Sequence, residues 1–419
     1  MAEMISLEEA RALVLAHVEA LPVETVPLLA CIGRVVASDQ RSDMDVAPFA
    51  HSAMDGYAVK AEDLAGASED APVRLRVLAE VAAGDVFEGK ADHGECVRIM
   101  TGAPLPECFD AVVKYEVVRT VEGDGAGGSV VEFSSPTGVR SNVREAGEEA
   151  HEGDVVITAG EVVSTAGAGF LASCGVLEVP VYRHPRVAII ATGSELVDAT
   201  ERPQAGQIRN SNSYALAACA QAAGAVPEIL PIVEDSFDAL KAAVADAAAT
   251  YDFVVTSGGA ANGDFDFIKP VVEQLGELHM TTVNMRPGKA QTFGLVNGTP
   301  VFGLPGNPAA AFCGFELIIR PALRKMQGYT AFHRATVTAR LAHDVRKKDP
   351  RRLFMRGSLV RAEDGSLSFV PAKNQSSGLF GPIQRSSCLA VLPEFETGSF
   401  AGGTDVTCVL LDVPEETVL

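Results

Sequence analysis

Between residues 186 and 328, short apolar runs alternate with amphipathic stretches, and this alternation predicts an α/β domain. Strands are predicted at residues 187–191, 228–233, 253–257 and 300–303. Helices are predicted from the Asn210–Asn212 cap to Gly224, after Ser236, at 266–275 and at 309–326. Apolar strands that alternate with helices indicate a parallel, doubly wound sheet, whose ligands bind at the carboxyl ends of the strands.

The pattern is different on both sides of this domain. Ser6 and Glu9 form a capping box that opens a helix with an apolar face. From residue 44 to about 143, short β-branched runs separated by Gly, Pro and Asp indicate a β-rich domain. After residue 331 short strands and turns return, which predicts a small β-barrel.

The predicted fold class is therefore α/β plus β-rich, with several domains. Residues 1–43 and 144–180 are expected to form a discontinuous linking domain, and 44–143 a β-rich second domain inserted into it. Residues 181–330 are expected to form the α/β domain, and 331–419 a C-terminal β-barrel.

Composition and charge exclude several classes of function. The net charge of −21 argues against general nucleic-acid binding, because phosphate backbones require a basic surface. No apolar run approaches the roughly 20 residues that span a bilayer, and an N-terminus with Glu3, Glu8 and Glu9 is unlike a signal peptide. Eight scattered cysteines without a Cys-x-x-Cys pair are typical of reduced thiols. We expect a cytoplasmic protein without membrane insertion, in which a local cluster of cations holds any anionic ligand.

Four loops follow the predicted strands, and they are rich in glycine and carboxylates. These loops are 192–195, 234–235, 257–266 and 304–308. Glycines such as Gly258 and Gly259 let backbone N–H groups approach an anion closely. Carboxylates in these loops could hold Mg²⁺ against a phosphate; they are Glu195, Asp235, Asp264 and Asp266. Each Asp alone is more often a helix cap, but four such carboxylates at one sheet edge favour a ligand site.

Two basic segments could supply the missing positive charge. Arg286 and Lys289 flank a Pro-Gly turn, which suits an oxyanion such as phosphate or molybdate; a solvated hairpin turn explains this motif alone equally well. The run 346–352 is a candidate substrate lid, although such runs are usually solvated faces. In the β-rich domain, Asp55 and Thr101 each precede a glycine. Two interpretations are open for both residues, a side chain that faces a cleft or a position in a turn.

Six motifs occur in one order along nearly the whole chain. They are SAMDGYAV (52–59), RIMTGAPLP (98–106), ATGSEL (191–196), TSGG with GDFD (256–266), RPGK (286–289) and GLPGNP (303–308). Together they resemble the molybdopterin molybdenumtransferase family, which includes the bacterial MoeA proteins and the E domain of gephyrin. The combination is highly specific, whereas no single motif would be.

The resemblance implies an elongated homodimer of four-domain subunits, with an α/β domain similar to MoaB and Mog. Each active site would lie between the third domain of one subunit and the second and fourth domains of its partner. The implied reaction takes adenylylated molybdopterin and molybdate, hydrolyses the adenylate with Mg²⁺ and inserts molybdenum into the dithiolene.

The resemblance also implies roles for individual residues. Glu195, Asp235 and Asp266 would handle Mg²⁺ and the nucleotide, and Asp55 and Thr101 would support catalysis from the second domain. The remaining substrate-binding positions would be Gly258, Gly259, Asp264, Arg286, Lys289, Pro305, Gly306, Asn307, Pro308, Arg352 and Ser377.

The chain departs from the family pattern near these positions. Ser194 stands where Asp is common, Arg286 replaces Lys, Ala290 replaces Pro, and Ala260-Ala261-Asn262 replaces the usual run of the Gly-rich loop. Ala310 replaces a Ser whose hydroxyl would contact the oxyanion. These departures keep a second hypothesis open, a gephyrin-like dimeric scaffold that binds a peptide of a receptor, cytoskeletal or cell-division protein with weak or no catalysis. A pterin- or nucleotide-binding storage protein explains fewer of the motifs.

Overall fold

The computed structural model describes residues 4–258, 267–361 and 364–412, which fold into two compact units. One unit comprises Met1–Glu24 and Tyr182–Leu419, and the other comprises Thr25–Val181. The helices are α1 (Leu7–Ala16), α2 (Thr165–Ser173), α3 (Ser211–Ala222), α4 (Phe237–Thr250), α5 (Ile268–Leu275), α6 (Pro308–Gly314), α7 (Arg320–Met326) and α8 (Gly381–Gln384). A π-helical turn, Phe315–Ile319, joins α6 to α7. Within the described ranges, no helix is long and apolar enough to cross a membrane.

The unit Thr25–Val181 is rich in short strands, as the sequence predicted. The strands are β1 (Val23–Pro27), β2 (Gln40–Arg41), β3 (His51–Ser52), β4 (Gly56–Val59), β5 (Val73–Val81), β6 (Glu95–Ile99), β7 (Ala111–Lys114), β8 (Val118–Glu122), β9 (Val130–Phe133), β10 (Val143–Arg144), β11 (Val155–Ile157) and β12 (Glu178–Tyr182). Six of them form a sheet in the order β7-β4-β6-β5-β9-β8, in which only β5 and β6 run parallel.

The other unit contains the α/β domain. Its strands are β13 (Arg186–Ala191), β14 (Leu196–Val197), β15 (Ile208–Arg209), β16 (Val226–Ile229), β17 (Phe253–Ser257), β18 (Gly276–Thr282), β19 (Met285–Arg286), β20 (Ala290–Val296) and β21 (Thr299–Leu304). The main sheet has the order β16-β13-β17-β21-β20-β18, and its first four strands run parallel. The predicted doubly wound sheet is therefore present, with an antiparallel pair, β20 and β18, added at one edge.

Alternate residues of the central strands face opposite layers of helices. In β13, Val187 and Ile189 join a core that includes residues of α1, α3 and α7, whereas Ala188 and Ile190 join a core with α4 and α5. Burial on both faces explains why the central strands are continuously apolar. Helix α1, opened by the predicted capping box, packs in the first of these cores. The division into four domains remains a prediction.

The C-terminal strands form the expected barrel. They are β22 (Thr336–Leu341), β23 (Val345–Lys347), β24 (Arg352–Arg361), β25 (Leu367–Pro371), β26 (Cys388–Leu392), β27 (Gly398–Phe400) and β28 (Asp405–Leu410). The order β24-β25-β22-β28-β26 closes because β26 also pairs with β24. Strand β19 pairs in parallel with β24, with Met285 opposite Arg352. This pairing places the turn after β19 beside the basic residues that precede β24.

Candidate functional site

A cavity of about 990 Å³ opens at the carboxyl ends of the parallel strands. It includes the loops that follow β13 and β17, where the strand order reverses and where doubly wound sheets bind ligands. The lining of this strand-end cavity includes Thr192, Glu195, Asp235, Ser257, Gly258, Pro305, Asn307 and Phe380. This lining combines carboxylates, hydroxyls and apolar side chains, and such a combination is typical of pockets that bind small molecules.

Hydrogen bonds join the strand-end loops to one another. The Asp235 carboxylate accepts a bond of 2.8 Å from the backbone N–H of Ser194. The Thr192 N–H donates to the Ser257 carbonyl at 3.1 Å. Glu195 and Asp235 therefore come from different loops but line the same cavity. The arrangement offers two carboxylates to one ligand.

Asn212 and Gly258 fix the spacing of the same loops. The Asn212 side chain donates to Ser257 Oγ and to the Gly306 carbonyl, at 2.8 Å each. Gly258 has a φ of +98°, and a Cβ atom there would lie 2.2 Å from the carbonyl oxygen of Thr192. Another residue would force the loops apart, because backbone atoms cannot yield as a flexible side chain does.

A second cavity, of about 850 Å³, is lined by the turn after β19 and by residues around the start of β24. Among the described residues, the lining of this cationic cavity includes seven cationic side chains and the single carboxylate of Asp349. The cations are Arg286, Lys289, Arg346, Lys347, Lys348, Arg351 and Arg356. In a chain with a net charge of −21, this cluster is the local exception that an anionic ligand requires.

Asp349 orders two of these cations. Its carboxylate accepts a bond from Arg286 Nη1 at 3.2 Å and one from Arg351 Nε at 2.9 Å. The Arg351 guanidinium holds the pKa of Asp349 well below its ordinary range, so the carboxylate is ionised at neutral pH. A guanidinium has five N–H donors, and both arginines therefore retain donors for an anion.

Arg356 lies in the wall of the cationic cavity with only 1% of its surface exposed. Its Nη2 donates to the Ser376 carbonyl at 3.3 Å, whereas its Nε has no hydrogen-bond partner in the described part of the chain. No described carboxylate compensates its charge, and burial lowers the pKa of the guanidinium. A buried charge without a counter-charge is costly. An anion in the cavity would compensate it.

The two cavities share a wall. Pro305 and Asn307, in the loop after β21, line both of them. Ala309, at the start of α6, donates its N–H to the Ser377 carbonyl at 2.8 Å, and Ser377 lines the cationic cavity. The barrel segment that carries Ser377 is therefore anchored to the helix that follows the shared loop.

Many of the predicted site residues fall into these cavities. Those in the strand-end cavity are Glu195, Asp235, Gly258, Pro305, Gly306, Asn307 and Pro308. Those in the cationic cavity are Arg286, Lys289, Pro305, Asn307 and Ser377. Gly259, Asp264 and Asp266 lie outside the described residues. Within 4–258, 267–361 and 364–412, no group of three His, Cys, Asp or Glu residues could hold a metal ion.

Arg352 is not brought into the cationic cavity. Its Nε and Nη2 donate to the two oxygens of Glu394, at 2.6 and 2.7 Å, and its Nη1 pairs with Glu8. Arg351 and Arg356 line the cavity instead. Nothing in the composition of the basic run distinguishes Arg351 from Arg352, because the carboxylates that bind Arg352 are distant in sequence.

Asp55 and Thr101 lie together in the unit Thr25–Val181. The backbone N–H and the hydroxyl of Thr101 both donate to one carboxylate oxygen of Asp55, at 2.8 Å each. The backbone bond, followed by the hydroxyl bond, lowers the pKa of Asp55. Both side chains are exposed, so the second carboxylate oxygen is available to a ligand.

Comparisons with known proteins match nearly the whole chain. Residues 5–175 match the model of the MoeA N-terminal region (domain I and II), 188–325 match a probable molybdopterin binding domain, and 338–411 match the MoeA C-terminal region (domain IV). The chain is 34% identical to the molybdopterin molybdenumtransferase of Staphylococcus aureus (strain COL) over 99% of its length and 98% of the relative. It is 37% identical to that of Bacillus subtilis (strain 168) over 91% of this chain and 88% of the relative.

A solved structure shows the same similarity. The MoeA molybdopterin biosynthesis protein of Pyrococcus horikoshii superposes with a TM-score of 0.82 and 32% identity. The match covers 97% of this chain and 99% of that one. The fold of this chain is therefore similar to that of a solved MoeA protein.

Proposed function

The chain belongs to the molybdopterin molybdenumtransferase (MoeA) family and is a transferase of molybdenum cofactor biosynthesis, and from this premise we propose that its two cavities hold the two reactants of molybdenum insertion. The strand-end cavity binds adenylylated molybdopterin, and the cationic cavity binds molybdate. The observation that carries this proposal is the buried, uncompensated guanidinium of Arg356 in the wall of the cationic cavity.

Glu195 and Asp235 are the residues that would hold Mg²⁺. Their donor set fits the ion, because Mg²⁺ takes one or two protein carboxylates and completes its coordination with water and phosphate oxygens. Asp266, outside the described residues, is the third ligand proposed from the sequence. When bound, Mg²⁺ neutralises charge that develops on the phosphate during adenylate hydrolysis. The chain's own contribution is to orient the carboxylates, and the Ser194 N–H does this for Asp235.

Molybdate binding is assigned to the cationic cavity. Arg351 and Arg286 are prearranged by Asp349, and Lys289 and Ser377 complete the same wall. Molybdate is a tetrahedral dianion with several oxygen acceptors. Several converging N–H donors therefore bind it better than a single cationic group would. Ala310, in the position of the missing hydroxyl, lies in this lining. The departure therefore removes one donor but leaves the cluster of cations intact.

The shared loop explains how the reactants meet. Pro305 and Asn307 belong to both linings, so molybdate in one cavity lies next to the pterin substrate in the other. Holding two reactants in adjacent sites replaces a bimolecular encounter by an intramolecular one. The cations of the second cavity also reduce the repulsion between the two anionic reactants.

The proposal is tested by supplying adenylylated molybdopterin, Mg²⁺ and molybdate to the purified protein. Release of AMP and formation of molybdenum cofactor are expected, and both should stop when Mg²⁺ is chelated. Absence of AMP release above background from a correctly folded protein would contradict the assignment. Nothing in the described cavities favours the alternative of a non-catalytic scaffold, because the carboxylates and the cations are both in place.

The proposal includes a homodimer in which one subunit completes the site of the other. In this proposal the second domain lies at the partner's active site, and the exposed Asp55–Thr101 pair is suited to such a role because its carboxylate is already oriented. Co-expression of Asp55→Ala and Glu195→Gln subunits provides the test. If sites are shared between subunits, mixed dimers contain one intact site and recover up to about half of the activity. Two inactive parents that give inactive mixtures would contradict the shared site.

A further inference from the structure

We propose that Phe380, with Pro203 and Ile208, forms an apolar clamp in the strand-end cavity for the planar fused ring of the substrate. This inference rests on the proposed function and names the part of the substrate that these residues bind. All three residues belong to the lining of the cavity that also includes Glu195 and Asp235. A ligand that carries both a phosphate and a flat heterocycle fits this combination of acidic and apolar residues.

Phe380 is held in place by its backbone. It precedes α8, and its carbonyl accepts bonds from the N–H groups of Ile383 and Gln384, at 2.8 and 3.0 Å. Three residues earlier, the Ser377 carbonyl accepts the Ala309 N–H. The segment is therefore anchored on both sides of Gly378, and a preorganised ring costs less entropy on binding than a mobile one.

The ring of Phe380 also has support from the α/β domain. Phe380 lies beside Leu216 of α3 and Phe312 of α6, around a space too small to hold a water molecule. The side chain is only half-buried, so part of it remains for the strand-end cavity. A phenylalanine of the hydrophobic core is usually fully buried, whereas Phe380 borders a cavity of about 990 Å³.

Ile208 contributes a further apolar side chain to the lining. It is 55% exposed, although it belongs to a strand, and its N–H donates to the carbonyl of Glu195 at 2.8 Å. The apolar strand and the carboxylate loop are thus joined through their backbones. Pro203 adds a second apolar residue to this lining. Ring stacking on an aromatic side chain, with apolar contacts on the other face, is a common way to bind nitrogen heterocycles.

Two parts of the substrate have this chemistry, the adenine of the adenylate and the pterin itself. Both are planar, bicyclic nitrogen heterocycles. Binding measurements with AMP alone and with 6-hydroxymethylpterin alone distinguish them, because each probe carries only one of the two rings. Isothermal titration calorimetry on the full-length protein, with Mg²⁺ present, gives both affinities without turnover.

The variants are Phe380→Ala, Phe380→Trp and the neighbouring control Leu379→Ala. Leu379 is 38% exposed and is not part of either cavity lining. Phe380→Ala is expected to weaken one probe by about tenfold, as loss of an aromatic stacking partner does. Phe380→Trp should restore that affinity, and Leu379→Ala should leave it unchanged. With the full substrate, KM should rise more than kcat falls.

Molybdate affinity separates a local effect from a general one, because it reports the cationic cavity. The inference is supported if Phe380→Ala weakens AMP or the pterin and retains molybdate binding. It is overturned if Phe380→Ala binds both probes as the wild type does, or loses molybdate affinity to the same extent. It is also overturned if the wild type binds neither probe. If the wild type binds a probe that Phe380→Ala binds more weakly, but releases no AMP, the proposed function is contradicted and the clamp is still supported.

Discussion

The carboxylate of Asp235 accepts a hydrogen bond of 2.8 Å from the backbone N–H of Ser194. The bond is made by the main chain, so it does not depend on the side chain at position 194. A serine at this position, where the resemblance implies an Asp, therefore keeps this contact. Because the bond fixes the orientation of Asp235, the negative charge of the carboxylate can be tested separately from its geometry.

Asp235→Asn is expected to slow Mg²⁺-dependent AMP release by about 100-fold, the scale at which removing one charge-stabilising group usually acts. The amide oxygen can still accept the Ser194 N–H, so the fold should be retained. Asp238→Asn, in the exposed first turn of α4, is the matched control and should keep its activity. Steady-state AMP release over a Mg²⁺ titration measures the effect. Equal rates of AMP release for Asp235→Asn and Asp238→Asn would contradict the proposed role of Asp235 in binding Mg²⁺.

Arg351→Ala is expected to weaken molybdate binding by about tenfold or more, because a hydrogen bond to a charged group contributes roughly 1.5–3 kcal/mol. Arg352→Ala should leave the affinity within about twofold, since its guanidinium is bound to Glu394 and Glu8. Calorimetric titration of each variant with molybdate provides the comparison. A greater loss of molybdate affinity in Arg352→Ala than in Arg351→Ala would contradict this assignment and favour Arg352, which was predicted from the sequence.

Ala310→Ser is expected to strengthen molybdate binding by about fivefold, corresponding to roughly 1 kcal/mol for one additional hydrogen bond. Ala310 lines the cationic cavity, whereas the neighbouring Ala309 is fully buried and does not. Ala309→Ser therefore adds the same hydroxyl away from the ligand and should leave the affinity unchanged. Both variants are compared with the wild type in one titration series. A gain in Ala309→Ser alone would contradict the assigned geometry.

Gly258→Ala is expected to lower the free energy of unfolding by about 1–3 kcal/mol, because its φ is +98° and the new Cβ would meet the Thr192 carbonyl. AMP binding should fall as well, since the two loops line the strand-end cavity. Gly169→Ala, in the exposed middle of α2, meets no atom within 4 Å. This control should stabilise the protein by about 0.5–1 kcal/mol. Denaturant titration measures both changes, and similar values for the two would argue against the close approach.

The Asp349 ion pairs predict a defined pH dependence of stability. The pKa of Asp349 is lower in the folded protein than in the unfolded chain, where it is about 3.9. Its contribution is therefore fully present above that value and is lost as pH falls through the folded pKa. At every pH between 8 and 5, the free energy of unfolding of Asp349→Asn should be about 1 kcal/mol below that of the wild type. Below about pH 4 this difference between variant and wild type should shrink. A difference that grows on acidification would have the wrong sign for this pair.

The antiparallel strands β18 and β20 show where the predicted fold was incomplete. The helical and strand periods of residues 186–328 identified the central parallel strands β13, β17 and β21, because burial on both faces makes their sequences continuously apolar. The edge strand β16 is mostly exposed, and the predicted strand at 228–233 overlaps it only at residues 228 and 229. Strand β18 mixes Glu, His and Thr with apolar residues and is only partly buried. Its pairing with β20 arises from non-local hydrogen bonds, which leave no periodic signal in the sequence.

The sequence by itself determined the chemistry of the site. Its motifs placed Glu195 and Asp235 at strand ends and Arg286 and Lys289 in one turn, because the chain path is local there. Only the tertiary structure decided which arginines of the basic run line the cationic cavity. Arg352 is bound by Glu394 and Glu8, whereas the pairing of β19 with β24 brings the basic run beside the Arg286 turn. Contacts between residues far apart in sequence depend on the packing of the whole unit, which local patterns do not encode.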